Sequence, residues 1–235
     1  MQTLFVTGTD TNVGKSWVAS LILRQLRDDN VRIGAYKPVC SGAEIQDDGT
    51  RVWSDLIVLA DALNWSGELD VICPQRFTDP VVPNVAAGLE GREVDNELLR
   101  TGLHRWEHIA DYVVIEGAGG LLCPLSNDAT VADLAADLQA PLLIVAANRL
   151  GVINHTLLTV EVARSRGLTV AAVVLNCCEV PDDVCDPSIE TNLDQLQHWL
   201  PDVPILECQY AAIRLGHQCA VEVTDLLKLF GAKNR

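Results

Sequence analysis

The residues with the clearest chemical potential lie near the start of the chain, in residues 8–16, Gly-Thr-Asp-Thr-Asn-Val-Gly-Lys-Ser. Turn glycines allow backbone N–H groups to close around an anion, Lys15 adds a compact positive charge, and the Ser16 hydroxyl can bind Mg²⁺. A Gly-Lys-Ser helix start also occurs by chance. Here an apolar strand pattern precedes the run and a helical pattern starting at Trp17 follows it, which is the context of a phosphate-binding loop (P-loop). The loop is unusual because Thr9 stands where a glycine is expected and Gly8 and Gly14 are separated by five residues.

Other charged residues follow other predicted strands, where ligands of parallel sheets bind. Lys37 ends the second strand and could hold a transferring phosphoryl group or an acidic acceptor, although a solvated lysine is also common there. Glu116 follows the third strand, and the glycines of 117–120 would let a ligand approach the backbone. Asp55 could bind the same metal ion as Glu116, or could simply favour a helix start.

Two further segments have possible binding roles. Residues 148–155 follow a predicted strand and open a helix, so their free N–H groups form a candidate anion site. Asn176 closes the next strand, where its amide could contact a purine edge or stabilise a turn. His104 and His108 are four residues apart, but without a His-Glu-x-x-His pattern they are not assigned to a metal site.

Apolar runs alternate with helical patterns along the chain. The predicted strands are Leu4–Val6, Arg32–Tyr36, Tyr112–Ile115, Leu142–Ala146, Val170–Leu175 and Val203–Leu206. The predicted helices are Trp17–Arg27, Ser54–Leu63, Asn96–His108, Val131–Leu138, Val152–Arg166, Ile189–Trp199 and Val221–Phe230. This order predicts one α/β domain over residues 1–235, with a mostly parallel sheet flanked by helices. Residues 70–92 are expected to form a long irregular connection, either near the functional edge or as a plain surface excursion.

The amino-acid composition indicates which kinds of partner the protein can bind. There are 17 Lys and Arg residues against 32 Asp and Glu residues, a net charge of −15, which argues against binding to nucleic acid. No basic leader and no apolar run of membrane-spanning length is evident, so we expect a cytoplasmic protein with no membrane partner. The eight cysteines form no C-x-x-C pair and are expected to be reduced thiols.

Four motifs in order resemble the dethiobiotin synthetase family, ATP-dependent cyclo-ligases of the P-loop NTPase superfamily. They are the loop at 8–16, Tyr36-Lys37-Pro38-Val39-x-Ser41-Gly42, Glu116–Gly120, and Leu150-Gly151-x-Ile153-Asn154-His155. The resemblance covers most of the chain. It implies that CO₂ or bicarbonate is joined to the vicinal amines of 7,8-diaminononanoate, that ATP becomes ADP and phosphate, and that a cyclic urea closes.

The resemblance also implies roles for individual residues. Lys15, Lys37 and Thr11 would be catalytic, and Ser16, Asp55 and Glu116 would bind Mg²⁺. The nucleotide would contact Thr9, Asn12, Val13, Gly14, Lys15 and Ser16, with Asn176 at the adenine. The diamine and its carbamate would contact Thr11, Ser41 and Gly119, and the substrate carboxylate would bind Gly151, Val152, Ile153 and Asn154 from the other subunit of a homodimer.

Three segments depart from the family pattern. Asn12 stands where some members have Glu, Val82-Pro83-Asn84 replaces Ser-Pro-His, and Glu207-Cys208-Gln209-Tyr210 does not match the usual segment near the purine. The change at Asn12 affects a predicted contact to the substrate amine. The change at residues 207–210 affects the prediction of nucleotide preference.

Two other functions fit the same fold class. A dimeric nucleotide-switch ATPase of the partition or metallochaperone type would be expected to carry an additional lysine early in the loop, and none precedes Lys15. A catalytically inactive regulatory domain is the third possibility. The presence of Lys15, Lys37 and Glu116 argues against it, although fold alone would not separate the three functions.

Overall fold

A six-stranded parallel sheet forms the centre of the computed structural model, which describes residues 1–179, 186–216 and 221–231. In chain order the strands are β1 (Gln2–Gly8), β2 (Ile33–Tyr36), β3 (Glu44–Ile45), β4 (Arg51–Val52), β5 (Tyr112–Gly120), β6 (Leu142–Ala147), β7 (Val170–Asn176) and β8 (Ile205–Cys208). The large sheet has the order β2-β5-β1-β6-β7-β8, and β3 and β4 form a separate antiparallel hairpin. Every neighbouring pair in the large sheet is parallel, as predicted.

Helices surround this sheet. They are α1 (Lys15–Asp28), α2 (Ser54–Leu63), α3 (Leu69–Ile72), α4 (Pro83–Leu89), α5 (Asn96–Thr101), α6 (Val131–Asp137), α7 (Val152–Ser165), α8 (Ile189–Trp199) and α9 (Val223–Leu229), with a 3₁₀ segment at Gly102–Trp106. All six positions of β6 are buried, which explains its uninterrupted apolar sequence. Helix α1 packs against α2 and against β1, β2 and β5, so the start of α1 is fixed beside the central strands.

The third predicted strand is longer than the sequence suggested. Residues 116–120 were expected to follow it, but they belong to β5, which pairs with β1 as far as the Gly8–Gly120 pair. A glycine-rich run has weak strand preference by itself, and pairing with β1 outweighs that preference. As a result, Glu116 lies within the sheet and is buried rather than lying on a loop beyond it.

Other boundaries differ more modestly. The last strand runs from Ile205 to Cys208 rather than from Val203 to Leu206, and α1 begins at Lys15 rather than Trp17. The helix predicted over 96–108 is α-helical only to Thr101, after which the tighter 3₁₀ segment continues to Trp106. Residues 70–92 were wrongly predicted to be irregular throughout, because they include the end of α3 and all of α4.

No helix in the described ranges is both long and apolar enough to cross a bilayer. Six cysteines in those ranges are free thiols: Cys40, Cys73, Cys123, Cys177, Cys178 and Cys208. The prediction of reduced thiols also covered Cys185 and Cys219, which lie outside the described residues.

Candidate active site

The loop after β1 has the tight backbone that an anion-binding turn requires. A Cβ atom at Gly8 would lie 2.7 Å from the Asp10 carbonyl oxygen, so no other residue fits there without movement. Gly14 has φ 89°, and a Cβ atom there would lie 2.2 Å from Asn176 Nδ2. Asn12 also has positive φ, at 59°, a conformation that asparagine tolerates better than most residues. These features explain the residue types at the turn.

Lys15, the first residue of α1, turns back over this loop. Its Nζ donates a hydrogen bond to the Asp10 carbonyl oxygen at 3.0 Å, and the residue is only 8% exposed. Burial lowers the pKa of Lys15, and the nearby Lys37 ammonium lowers it further, whereas Glu116 and Asp55 raise it. A phosphate group bound in the loop would therefore provide the anionic partner that this buried ammonium favours.

Lys37 connects two carboxylates that are distant in sequence. Its Nζ lies 2.5 Å from Glu116 Oε1 and 2.7 Å from Asp55 Oδ2. The side chains of Lys37 and Glu116 are 3% and 1% exposed, whereas that of Asp55 is 45% exposed. The interpretation of Lys37 as a solvated surface lysine is therefore wrong, because its ammonium is buried between two acids.

The opposite charges of Lys37 and its two acidic neighbours, Asp55 and Glu116, stabilise one another. Burial alone would lower the pKa of Lys37, but Glu116 and Asp55 together raise it well above its ordinary value. Burial would raise the pKa of Asp55, but Lys37 and the Ser16 hydroxyl lower it. Lys37 and Asp55 are therefore charged at neutral pH, and the Lys37 ammonium sits at the edge of the P-loop.

The oxygen atoms around Ser16 fit a hard divalent cation. Ser16 Oγ lies 2.8 Å from Asp55 Oδ1 and 2.7 Å from Glu116 Oε1, yet a hydroxyl has one proton and can fully satisfy only one of them. Glu116 Oε2 is buried without a hydrogen-bond partner among the described residues. Neighbouring oxygens of an octahedral Mg²⁺ site lie about 2.9 Å apart, given metal–oxygen distances of about 2.0–2.1 Å. Three oxygens of suitable type and spacing are thus already assembled.

A cavity of about 760 Å³ extends from this cluster along the P-loop. The predicted site residues that line it are Thr11, Asn12, Gly14, Lys15, Ser16, Lys37, Ser41, Asp55 and Gly119. Gly117, one of the glycines expected to let a ligand approach, also lines it. Sequence reasoning did not assign the other lining residues, which are Trp17, Cys40, Gly42, Ser54, Pro80, Val81, Val82, Pro83, Ala118 and Cys123. The predicted long connection over 70–92 was the one available signal for Pro80–Pro83, and the structure places these residues beside the P-loop in the cavity lining.

A second cavity, of about 370 Å³, adjoins the first and shares Asn12, Gly14 and Trp17 with it. Its other lining residues are Asn176, Cys177, Cys178, Tyr210 and Ala211. Asn176 Nδ2 donates to the Val13 carbonyl oxygen at 3.0 Å, whereas Asn176 Oδ1 is buried without a partner among the described residues. Asn176 therefore presents a free acceptor in a buried side chain, which its interpretation as a simple turn residue does not explain.

Some predicted residues lie elsewhere. Thr9 and Val13 belong to the loop but line neither cavity; the Thr9 N–H donates to the Val145 carbonyl oxygen at 2.9 Å. Residues 151–154 also line neither cavity, although Gly151, with φ 93°, does precede α7 as predicted. A single chain therefore brings together the residues predicted to bind phosphate and metal. The residues predicted to bind the substrate carboxylate, 151–154, are not part of either cavity.

Comparison with known proteins agrees with this geometry. A family model described as an AAA domain matches residues 2–208. A relative from Anaeromyxobacter sp. (strain K), named ATP-dependent dethiobiotin synthetase BioD, is 42% identical over 215 residues, covering 86% of this chain and 92% of the relative. The chain belongs to the dethiobiotin synthetase family. Synthetases of the same name from Rhodopirellula baltica and Bacillus subtilis (strain 168) are 40% and 38% identical, covering 83% and 88% of this chain and 79% and 86% of the relatives.

Solved structures show that this chain shares its fold with more distant proteins. A ParA family ATPase from Chlorobium tepidum TLS matches 97% of this chain and 88% of its own, with a TM-score of 0.50 and 11% identity. Chloroplast FtsY from Physcomitrella patens matches 97% of this chain and 64% of its own, with a TM-score of 0.52 and 12% identity. At such low identity these matches concern the fold alone.

Proposed function

We propose that this chain is an ATP-dependent dethiobiotin synthetase, which carboxylates 7,8-diaminononanoate with CO₂, closes the cyclic urea and releases ADP and phosphate. The observation that carries the proposal is the placement of Lys37 between Asp55 and Glu116 beside the P-loop lysine, in a chain of this family. The relatives at 35–42% identity favour this function over the nucleotide-switch ATPase.

The proposed reaction brings two anions, a carbamate and ATP, into contact. An amine nitrogen attacks CO₂ and loses a proton, which gives a carbamate. A carbamate oxygen then attacks the γ-phosphorus, and the bond to ADP breaks. The second amine attacks the carbonyl carbon of the resulting carbamic–phosphoric anhydride, phosphate leaves, the attacking nitrogen loses a proton, and the ring closes. No side-chain nucleophile is required, so the enzyme contributes position and charge.

The two lysines suit different parts of that reaction. Lys15 would hold the β- and γ-phosphates, because it is the lysine of the loop at the start of α1. Lys37 would face the carbamate and the transferring phosphoryl group, since it directly follows β2 and lines the same cavity as Lys15. Thr11, Ser41 and Gly119 line the same cavity and are proposed to contact the diamine and its carbamate.

Mg²⁺ is the metal that best suits the oxygen cluster. We assign Ser16, Asp55 and Glu116 as the protein groups that would hold it, directly or through water. When bound, such an ion neutralises phosphate charge during phosphoryl transfer. The base of ATP is assigned to the smaller cavity, where Asn176 Oδ1 can accept from an amino group, and Thr9, Asn12, Val13 and Gly14 supply loop contacts to the phosphates.

A homodimer would complete the site. Gly151, Val152, Ile153 and Asn154 begin a helix whose free N–H groups can hold a carboxylate, yet they line neither cavity of their own chain. Leu150 and Leu158, near this helix start and on α7, are 80% and 57% exposed. Contribution of this segment to a second copy would place the helix start at the partner's substrate and cover apolar side chains.

Residues 1–235 are proposed to form one domain, since the sheet takes strands from residue 2 to residue 208. The free thiols of the described cysteines and the use of ATP suit the cytoplasm. The net charge of −15 argues against a nucleic-acid partner.

ADP release tests the function directly. Purified protein with Mg²⁺, ATP and bicarbonate should release ADP when 7,8-diaminononanoate is added, with one dethiobiotin formed for each ADP. Lys15→Ala is the matched inactive control. ADP release that does not depend on the diamine would instead favour the switch ATPase, and no ADP release under either condition would favour the inactive regulatory domain.

A further inference from the structure

Trp17 stands at the junction of the two cavities. The larger one contains Lys15 and Ser16, and the smaller one contains Asn176 and Tyr210, while Trp17 lines both. A nucleotide whose phosphates lie on the loop would extend its base into the adjoining smaller cavity. Trp17 therefore lies between the places that the two ends of such a nucleotide would occupy.

The side chain of Trp17 also packs against the hydrophobic core. Trp17 directly follows Ser16 in the first turn of α1, where its carbonyl oxygen accepts a hydrogen bond from Ser20 Oγ at 2.7 Å. Its indole N–H, the one donor of a tryptophan side chain, lies near the buried thiol of Cys208 at the end of β8; burial raises the pKa of that thiol and the indole N–H partly opposes the rise. Trp17 is only half-buried, and it lines both cavities. A rigid aromatic surface of this kind loses little entropy when a ligand packs on it.

Asn176 supplies the complementary contact. Its Nδ2 donates to the Val13 carbonyl oxygen, and its Oδ1 is a buried acceptor without a partner among the described residues, in a side chain that lines the smaller cavity. Asn176 can therefore accept a hydrogen bond at the edge of a base, whereas an aromatic ring can cover a base face. Tyr210, on another part of the wall, is 45% exposed and its hydroxyl forms no hydrogen bond with another described residue.

We propose that Trp17 is a base-binding residue, whose indole stacks on the face of the purine of bound ATP. This inference rests on the proposed function, because it requires ATP on the P-loop. It assigns to Trp17 a share of nucleotide affinity that is independent of the phosphates. Truncation of one aromatic stacking partner is expected to weaken binding about 5- to 150-fold.

The test compares a ligand that has a base with one that has none. Isothermal titration calorimetry would measure Kd for ADP and for inorganic tripolyphosphate with wild-type protein, Trp17→Ala, Trp17→Leu and Trp17→Phe. Trp17→Leu keeps an apolar side chain against the core, so it remains informative if Trp17→Ala does not fold. Trp199→Ala is the matched control, since Trp199 is 59% exposed and lines neither cavity.

Trp17→Ala and Trp17→Leu should weaken ADP binding within the range above and leave tripolyphosphate binding within about twofold, while Trp17→Phe retains most of the ADP affinity. Unchanged ADP affinity in Trp17→Leu would overturn the inference. Equal weakening of both ligands would also overturn it, because that pattern means a distorted loop. Wild-type protein that binds neither ligand would instead refute the proposed function itself, and the inference with it.

Discussion

Replacing Lys37 by methionine should destabilise the protein strongly, because it removes the charge that compensates a buried carboxylate. Lys37 Nζ is 2.5 Å from Glu116 Oε1, and both side chains are almost fully buried. Glu116 lies within β5 opposite Val6 of β1, so the sheet fixes its backbone, and its side chain is 1% exposed. Removal of one partner of a buried ion pair typically costs about 3–5 kcal/mol. For a domain of this size each kcal/mol lowers Tm by about 2–4 °C, so the expected fall is roughly 6–20 °C.

Urea unfolding at neutral pH without Mg²⁺, followed by circular dichroism, would measure the change in unfolding free energy. Lys228→Met is the matched control, because Lys228 pairs with Asp225 at 2.6 Å with both side chains more than half exposed. That variant should lose less than about 1 kcal/mol. Lys37→Met combined with Glu116→Gln should be more stable than Lys37→Met alone, since the uncompensated charge is gone.

Magnesium provides a second arm of the same experiment. Because Lys37 and the proposed metal share Asp55 and Glu116, Mg²⁺ should stabilise Lys37→Met more than it stabilises the wild-type protein. A loss below about 1 kcal/mol in Lys37→Met would refute the argument from burial. Equal stabilisation of both proteins by Mg²⁺ would refute the assignment of the carboxylates as metal ligands.

Four further outcomes are expected. Lys15→Ala should lower kcat for ADP release by on the order of 10²–10³-fold, and wild-type turnover in this variant would contradict the P-loop assignment. Lys37→Gln should reduce product formation more than ATP affinity, with poor rescue by Lys37→Arg; a parallel fall of both in titrations and rate assays would contradict a carbamate role. The pKa of Asp55 is lowered in the folded state, so its stabilising effect is present above its unfolded value of about 3.9 and is lost as pH falls further. Acid unfolding of Asp55→Asn should therefore be less steep below about pH 4 than that of the wild type, and superimposable curves would refute this. A heterodimer of Lys15→Ala and Asn154→Ala chains should be more active than either parent, because one site unites both intact halves; no recovery in a verified heterodimer would mean that each chain builds its own site.

The sequence predicted the positions of the charged residues better than their contacts. Lys15, Lys37 and Asp55 each follow a recognisable strand end or helix start, so the order of elements placed them at one edge of the sheet. The pairing of Lys37 with both acids could not be predicted, because it depends on side-chain reach across three separate elements. Asp55 was equally compatible with a simple helix-start role, and only the contact to Lys37 distinguishes the two.

Long-range pairing explains the main errors. The end of β5 was misplaced because glycines favour turns locally, whereas β1 holds them in the sheet. The hairpin of β3 and β4 has only two residues in each strand, too few for a period-two pattern. Trp17 was interpreted only as a helix residue, since nothing in the local sequence shows that β8 would place Cys208 beside its indole.

The arrangement also explains how a chain with a net charge of −15 can accept several anions in one cavity. Lys15 and Lys37 balance Asp55 and Glu116, so the cluster is locally close to neutral although the whole chain is not. A divalent ion on the carboxylates would take over the role that the Lys37 ammonium has now, which would leave that ammonium available to an incoming phosphoryl group or carbamate. When a metal ion replaces Lys37 beside Asp55 and Glu116, that one change would have two consequences. The ion would neutralise the two carboxylates, and Lys37 would present its positive charge to the substrate.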